Sequence, residues 1–302
     1  MTTLDELWEQ FFYHLRVQRR TTGTLSFYSV TRNKLAFYLT QQGLPQTIPG
    51  LGVSHLRGFV VWLAEQGLQP GGQHTHVRAI KALFNWSHRE ELIPSNPAQR
   101  LALPSLPRRR LPTVTHDCTQ RLLLAAKNLE QPLRDAALVL IMFDTGLRVS
   151  ELVQLTTGDL VAAQGLIRVR GGKGDKERTV PLGTRALAAL GQYQRRERHP
   201  RWPHVEQLLL SHRGEPLTRS GVGIRLAALA RSAGFPRSEA APHAFRRGFA
   251  VEYLRNGGDV FTLQQIMGHT TLEMTRRYVS FLDDDLKAAH LRFSPADRLR
   301  GR

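Results

Sequence analysis

The sequence predicts a mainly α-helical protein in two parts. An all-α N-terminal unit covers 1–97, and an α+β unit with one small β-hairpin sheet covers 113–302. Three observations predict this. Apolar residues recur at three- and four-residue spacing through most of the chain, the period of amphipathic helices. Between Pro94 and Pro112 come five prolines and the run Arg108-Arg109-Arg110, marking an extended, semi-rigid linker over 98–112. Beyond it, a glycine-rich turn separates two stretches of alternating apolar and polar residues, the pattern of a β-hairpin.

The first unit reads as four short helices. Leu4, Leu7, Trp8, Phe11, Phe12 and Leu15 form one helical stripe. A second helix runs from about Thr24 to Gln42, closed by Gly43. Ser54 is the expected N-cap of a third, which carries Leu56, Phe59, Val60 and Leu63 before Gly67. The fourth holds Val77, Ile80 and Phe84, with Arg78, Lys81 and Arg89 elsewhere around it. His74 and His76 have the spacing of half a metal site without a third ligand nearby, so they are assigned to the surface.

In the second unit, helices are expected near 117–128 and 133–145, with Gly146 ending the latter as its C′ residue. Another begins near Val149. Leu166–Arg170 and Arg178–Leu182 are the hairpin strands. Further helices follow near 184–198, 219–232, 242–255 and 260–267, then a short one carrying Tyr278 and a tail from about 281. No repeat at solenoid spacing is present.

Charge narrows the function classes. Lys+Arg number 42 against 25 Asp+Glu, giving a net charge of +17. Such an excess predicts a polyanionic partner through steering and counterion release, the plainer alternative being a soluble protein that is simply basic. The single cysteine, Cys118, excludes a disulfide within the chain, fits a reducing compartment and is expected to pack. The N-terminus is acidic and amphipathic, unlike a signal peptide, and no apolar run is long enough to span a bilayer. The expected location is the cytoplasm.

An ordered set of functional side chains points to chemistry. Arg148 stands in Thr145-Gly-Leu-Arg-Val-Ser-Glu-Leu, Lys173 in a glycine-rich turn, His243 and Arg246 in His-Ala-Phe-Arg, His269 in Met-Gly-His, and Tyr278 nine residues later. Metal-free attack on a phosphodiester needs such a set. Guanidinium pairs neutralise the anion and stabilise the pentavalent transition state. A phenol is a poor nucleophile at neutral pH and needs a base or a cation beside it, and the leaving oxygen needs a proton. Taken singly, each piece has a plainer reading. Arg148 with Glu151 is an ordinary helix pair, Lys173 a solvated turn, His243 or His269 a helix cap, and Tyr278 a core residue. Gly-Gly-Lys-Gly is not a P-loop, because no Gly-Lys-Ser/Thr opens a helix there.

Order and spacing decide between them. The chain resembles the tyrosine recombinases, the phage integrase and Xer family, along nearly its whole length. Thr145-Gly-Leu-Arg-Val-Ser-Glu-Leu resembles the family's first arginine box, and Gly172-Lys-Gly-Asp-Lys-Glu-Arg-Thr-Val-Pro-Leu its β-hairpin lysine segment. Pro242-His-Ala-Phe-Arg-Arg-Gly-Phe-Ala resembles the second box. Met267-Gly-His-Thr-Thr with Thr275-Arg-Arg-Tyr resembles the end of the site. One departure is Arg247, where many Xer-type members carry histidine, a flanking position that bears on closeness to the Xer branch rather than on catalysis.

The resemblance implies a helical, SAM-like core-binding domain followed by a DNA breaking-rejoining catalytic domain. It implies that Tyr278 attacks the scissile phosphate, leaving a 3′-phosphotyrosyl link and a free 5′-hydroxyl. Arg148, Arg246 and His269 would hold the phosphate oxygens, His243 would accept the tyrosine proton, Lys173 would protonate the leaving oxygen, and Glu151 would orient Arg148. It implies no metal or other cofactor. The partner would be double-stranded DNA held in a C-shaped clamp, with four protomers exchanging strands on paired sites, alone or with a partner recombinase. The tail would dock on a neighbouring protomer, with Leu282, Leu286 and Leu291 as anchors or, alternatively, packed on their own chain. Candidate DNA contacts are Arg78 and Lys81, the linker arginines Arg108, Arg109 and Arg110, and Arg219 and Arg225. The expected function is site-specific recombination, by an integrase or excisionase of a mobile element or a Xer-like dimer resolver. The alternatives are a catalytically inactive DNA-binding relative and a type IB topoisomerase-like relaxing enzyme.

Overall fold

The computed structural model describes residues 2–106, 111–171 and 177–279, together with 290, 291, 294 and 296. The chain folds as two compact units, Met1–Arg109 and Arg110–Arg302.

The first unit contains α1 (Leu4–Val17), α2 (Thr22–Gln41), α3 (Val53–Glu65) and α4 (Pro70–Arg89). A capping box starts α1: Thr3 Oγ1 accepts from Glu6 N, and Glu6 Oε2 accepts from Thr3 N. The α1 stripe buries all six of its predicted residues against Leu35 and Leu39 of α2, Leu56, Phe59 and Leu63 of α3, and Ile80, Leu83 and Phe84 of α4. Gly58 lets α2 and α3 approach, since a Cβ there would lie 2.2 Å from the Tyr38 hydroxyl.

Several expectations need correction here. Helix α4 is 20 residues long rather than short, and α3 is capped at Gly52, with Ser54 already inside its first turn. His76 is not on the surface. It is 8% exposed, with Nδ1 2.8 Å from Thr31 Oγ1, and burial with the nearby Lys34 charge lowers its pKa. Lys81 is a structural residue, because Nζ donates to the carbonyls of Ala98, Gln99 and Leu101 at 3.0, 3.2 and 2.8 Å. An ammonium has three donors, and all three are engaged, which removes Lys81 from the DNA-contact set. Ala98 and Leu101 are buried in the helical core, so the start of the expected linker packs as part of this unit.

The second unit opens with α5 (His116–Ala126) and α6 (Pro132–Thr145), followed by the four-residue α7 (Val149–Leu152). Strands β1 (Leu160–Val161), β2 (Leu166–Val169) and β3 (Arg178–Pro181) form an antiparallel sheet in sequence order. The β2–β3 pairing sets Ile167 opposite Val180 and Val169 opposite Arg178. The two-residue β1 was not expected, being too short to show a period. Then come α8 (Thr184–Arg196), α9 (Arg219–Ser232), α10 (Pro242–Arg255), α11 (Val260–Met267) and α12 (Leu272–Val279). Helix α6 packs against α5, α8 and α10, placing Leu138, Ile141 and Met142 at the centre of the core.

Arg225 needs a further correction. Its Nη2 lies 2.5 Å from Asp135, a fully buried carboxylate that also pairs with Arg134 at 2.7 Å. A partner buried this way ties Arg225 to the core rather than to DNA. Arg219 opens α9 exposed, and Arg78 is exposed on α4. Cys118 is buried, and burial pushes its thiol up to about 11. Among the described residues, no helix is long and apolar enough to cross a membrane.

Candidate active site

Gly146 sets the site's first corner. It ends α6 in the left-handed region at φ +58°, and a Cβ there would meet the Phe249 ring at 2.3 Å. The reversal delivers Arg148 to the cap of α7. Glu151, one turn on and 5% exposed, accepts from the Arg148 backbone N at 2.8 Å and from its Nη1 at 2.9 Å. Arg178 on β3 grips the same carboxylate through Nη1 and Nη2 at 3.0 and 2.9 Å, while its Nε donates to Ile266 O at 2.9 Å.

The opposite wall comes from α10 and the α11–α12 turn. Arg246, 6% exposed, donates to Gly146 O at 2.6 Å and to Met267 O at 2.7 Å. Gly268, at φ +63°, turns the chain so that His269 faces the arginines. A Cβ at Gly268 would come within 3.0 Å of the Arg178 guanidinium. His269 Nδ1 lies 2.8 Å from Thr275 Oγ1, and its ring stacks on Tyr278 with centroids 6.1 Å apart at 14°. Tyr278 is partly buried against the core.

The electrostatics follow from three guanidiniums around one carboxylate. Burial pushes Glu151 up, but hydrogen bonds from Arg178 and from the Arg148 backbone, with the charge of Arg178, hold it at about 2. Burial, then the charge of Arg148, lowers Arg246 to about 10. Burial, then the charges of Arg246, Arg148 and Arg178, lowers His269 to about 4, so its imidazole is neutral at pH 7. The cluster therefore carries surplus positive charge beside a phenol. An anion is the chemical complement, and Arg148, with its side chain 35% exposed, still offers donors to one.

Arg148, Glu151, Arg246, His269 and Tyr278 thus come together as the sequence suggested. His243 stands exposed in the first turn of α10, and among the described residues no hydrogen bond joins it to Tyr278. Lys173, Arg108, Arg109 and Arg110 lie outside the described residues. Arg247 is half-buried, with Nε donating to Pro112 O at 2.8 Å. Two contributors were missed, Arg178 and Thr275. Arg178 had a readable signal: it is two residues from the buried Val180, on the strand face that points inward.

Comparison with known proteins supplies the family. The model of the Phage integrase family matches residues 112–284, and that of the Phage integrase SAM-like domain matches 6–102. Tyrosine recombinase XerD of Yersinia pestis is 32% identical over 298 residues, covering 96% of this chain and 98% of its own. Tyrosine recombinase XerC of Pelotomaculum thermopropionicum is 30% identical over 300 residues, covering 95% and 97%. Arg247 therefore coexists with Xer-like similarity along nearly the whole chain. Among solved structures, the Tn1549 transposon integrase in complex with a circular intermediate DNA aligns with a TM-score of 0.77 at 20% identity, covering 92% of this chain and 95% of that one. A lambda integrase dimer bound to a core site aligns with a TM-score of 0.73 at 18% identity, covering 92% and 77%. At such identities these likenesses establish a shared fold.

Proposed function

Since the chain belongs to the phage integrase family, we infer that it is a site-specific DNA recombinase, cleaving and rejoining strands through a covalent 3′-phosphotyrosyl intermediate. DNA is its partner, consistent with the net charge of +17. The observation that carries this reading is the stack of Tyr278 on His269 beside Arg148 and Arg246. A phenol oxygen there can attack a phosphate whose charge those guanidiniums neutralise.

The proposed roles follow from that arrangement. Tyr278 forms the new P–O bond as the 5′ oxygen leaves, and Lys173 gives that oxygen its proton. His243 accepts the phenolic proton, a role that requires its exposed ring to close on Tyr278 once DNA is bound. Arg148 and Arg246 neutralise the non-bridging oxygens, and His269 adds a donor. Glu151 fixes the guanidinium of Arg148, and Arg178 braces Glu151 from the hairpin side. The phosphotyrosyl ester keeps the free energy of the broken bond, so a second strand's 5′-hydroxyl can reverse the step without ATP. Arg78, Arg219 and the linker run Arg108-Arg109-Arg110 remain the proposed backbone contacts.

The test is a nicked suicide substrate carrying candidate sites from DNA flanking the gene, incubated with the protein without metal. A covalent protein–DNA band on a denaturing gel is the expected result. Tight binding with no band would favour an inactive DNA-binding relative, and nicking without site preference would favour a relaxing enzyme.

We further propose that four protomers assemble on paired sites, with the tail of each docking on a neighbour. Leu291 is 62% exposed, consistent with an anchor awaiting a partner, while Leu282 and Leu286 lie outside the described residues. Truncation after about Asp283 is expected to leave single-site binding intact and to reduce recombination. Full strand exchange by the truncated protein would refute docking in trans.

A further inference from the structure

One buried polar contact joins the nucleophile's helix to the arginine cluster, and the scheme above leaves it unused. Thr275 is fully buried on α12, one turn before Tyr278, with Oγ1 2.8 Å from Nδ1 of His269. The frame around the imidazole is fixed as well. His269 N donates to Gln264 O at 3.1 Å, and Gln264 Nε2 donates back to His269 O at 3.2 Å.

With its pKa held at about 4 by burial and the surrounding arginines, His269 carries a single ring proton at neutral pH. That proton can sit on either nitrogen, and the hydrogen bond made by one nitrogen decides the state of the other. A threonine hydroxyl fits both cases. If Nδ1 holds the proton and donates to Oγ1, then Nε2 presents a bare lone pair that repels a phosphate oxygen. If the hydroxyl donates to Nδ1, then Nε2 holds the proton and can donate to the anion.

We propose that Thr275 is a positioning residue for strand cleavage: its hydroxyl donates to His269 Nδ1 and keeps Nε2 protonated for the scissile phosphate. Because Thr275 and Tyr278 share one turn of α12, seating the nucleophile and arming the imidazole become a single event. Displacing α12 withdraws the hydroxyl together with the phenol, so a protomer whose tyrosine is unseated also loses its fixed imidazole donor. The link to cleavage rests on the recombinase reading, whereas the tautomer assignment does not.

The experiment compares Thr275→Val and Thr275→Ser in the whole chain, by single-turnover cleavage of the nicked substrate. Valine keeps the shape and removes the donor; serine keeps the donor and opens a methyl-sized gap. Valine is expected to slow cleavage about tenfold or more without changing site affinity, since a lost preorganised donor can cost ~100-fold. Serine should remain within a few fold of the parent. A purely packing role predicts the reverse order, so valine cleaving as fast as serine overturns the proposal. Nitrogen NMR of the histidine-labelled free protein, with His269→Gln as the assignment control, gives the second reading. Protonated Nε2 and bare Nδ1 are expected, becoming a mixture in Thr275→Val. A protonated Nδ1 in the parent protein would sink the idea even if cleavage proceeds. Absence of any covalent complex in the parent would instead count against the recombinase reading, leaving the NMR to decide the tautomer.

Discussion

Changing Tyr278 to phenylalanine is expected to abolish covalent attachment to DNA while leaving site affinity within about twofold, an effect far larger than the loss of any single hydrogen bond. The substitution removes one oxygen and little else. The ring that stacks on His269 at 6.1 Å stays, as does its packing against the core. Positive charge near the site is unchanged, so the electrostatic contribution to DNA affinity persists. The measurement is the suicide-substrate gel, run beside a binding titration. Persistent covalent complex in the variant would mean that another group is the nucleophile. Lost binding would mean that the phenol hydroxyl helps hold the DNA rather than attack it.

Sequence reading succeeds where one local signal dominates. The α1 stripe is an uninterrupted helical period, and all six of its apolar residues are buried. Gly146, read as the residue that ends α6, adopts the left-handed conformation, where a side chain is strained. Boundaries slip where signals compete. Ser54 is a good capping residue, yet the helix begins two residues earlier than that cap would give, at Val53, so Gly52 takes the cap without a side-chain bond.

Side-chain roles were less legible, because polarity does not say which way a residue points. Lys81, Arg225 and His76 are all polar residues on helices, and each is directed inward by a partner distant in sequence. Those partners are the carbonyls of Ala98, Gln99 and Leu101, then Asp135 and Thr31. No local pattern encodes such pairings. Arg178 marks where the limit falls: strand alternation turns it inward, but nothing local names Glu151, 27 residues away, as the carboxylate that holds both it and Arg148. The ordered motif locates the reacting groups, whereas the groups that position them emerge only from packing.

Glu151 is where that hidden support should prove largest. Glu151→Gln is expected to destabilise the C-terminal unit by about 3–5 kcal/mol, the usual cost of removing one partner from a buried ion pair. The amide cannot replace the carboxylate, because its Nε2–H would face a guanidinium donor and leave Arg178 and Arg148 short of acceptors. Cleavage should fall ~100-fold or more as the Arg148 guanidinium loses its anchor, with DNA binding retained. A pH signature separates this from a general packing defect. Glu151 sits at about 2 when folded against an ordinary 4.5, so the unfolded chain takes up the proton more readily. The ion pair's contribution, on the order of 3 kcal/mol, is then complete above about pH 4.5 and lost as pH falls towards 2. His269, at about 4 against 6.5, has the same sign and acts over the higher window between those values. Unfolding midpoints of the whole chain, followed from pH 7 to pH 3, should therefore decline in two stages in the parent protein. In Glu151→Gln the upper stage should remain, and the lower one should shrink to the share of Asp159, Glu6 and Asp259, whose carboxyls are also held below their usual values. An unchanged lower stage in the variant would show that other carboxylates carry the acid sensitivity, and that the triad of arginines does not depend on this one.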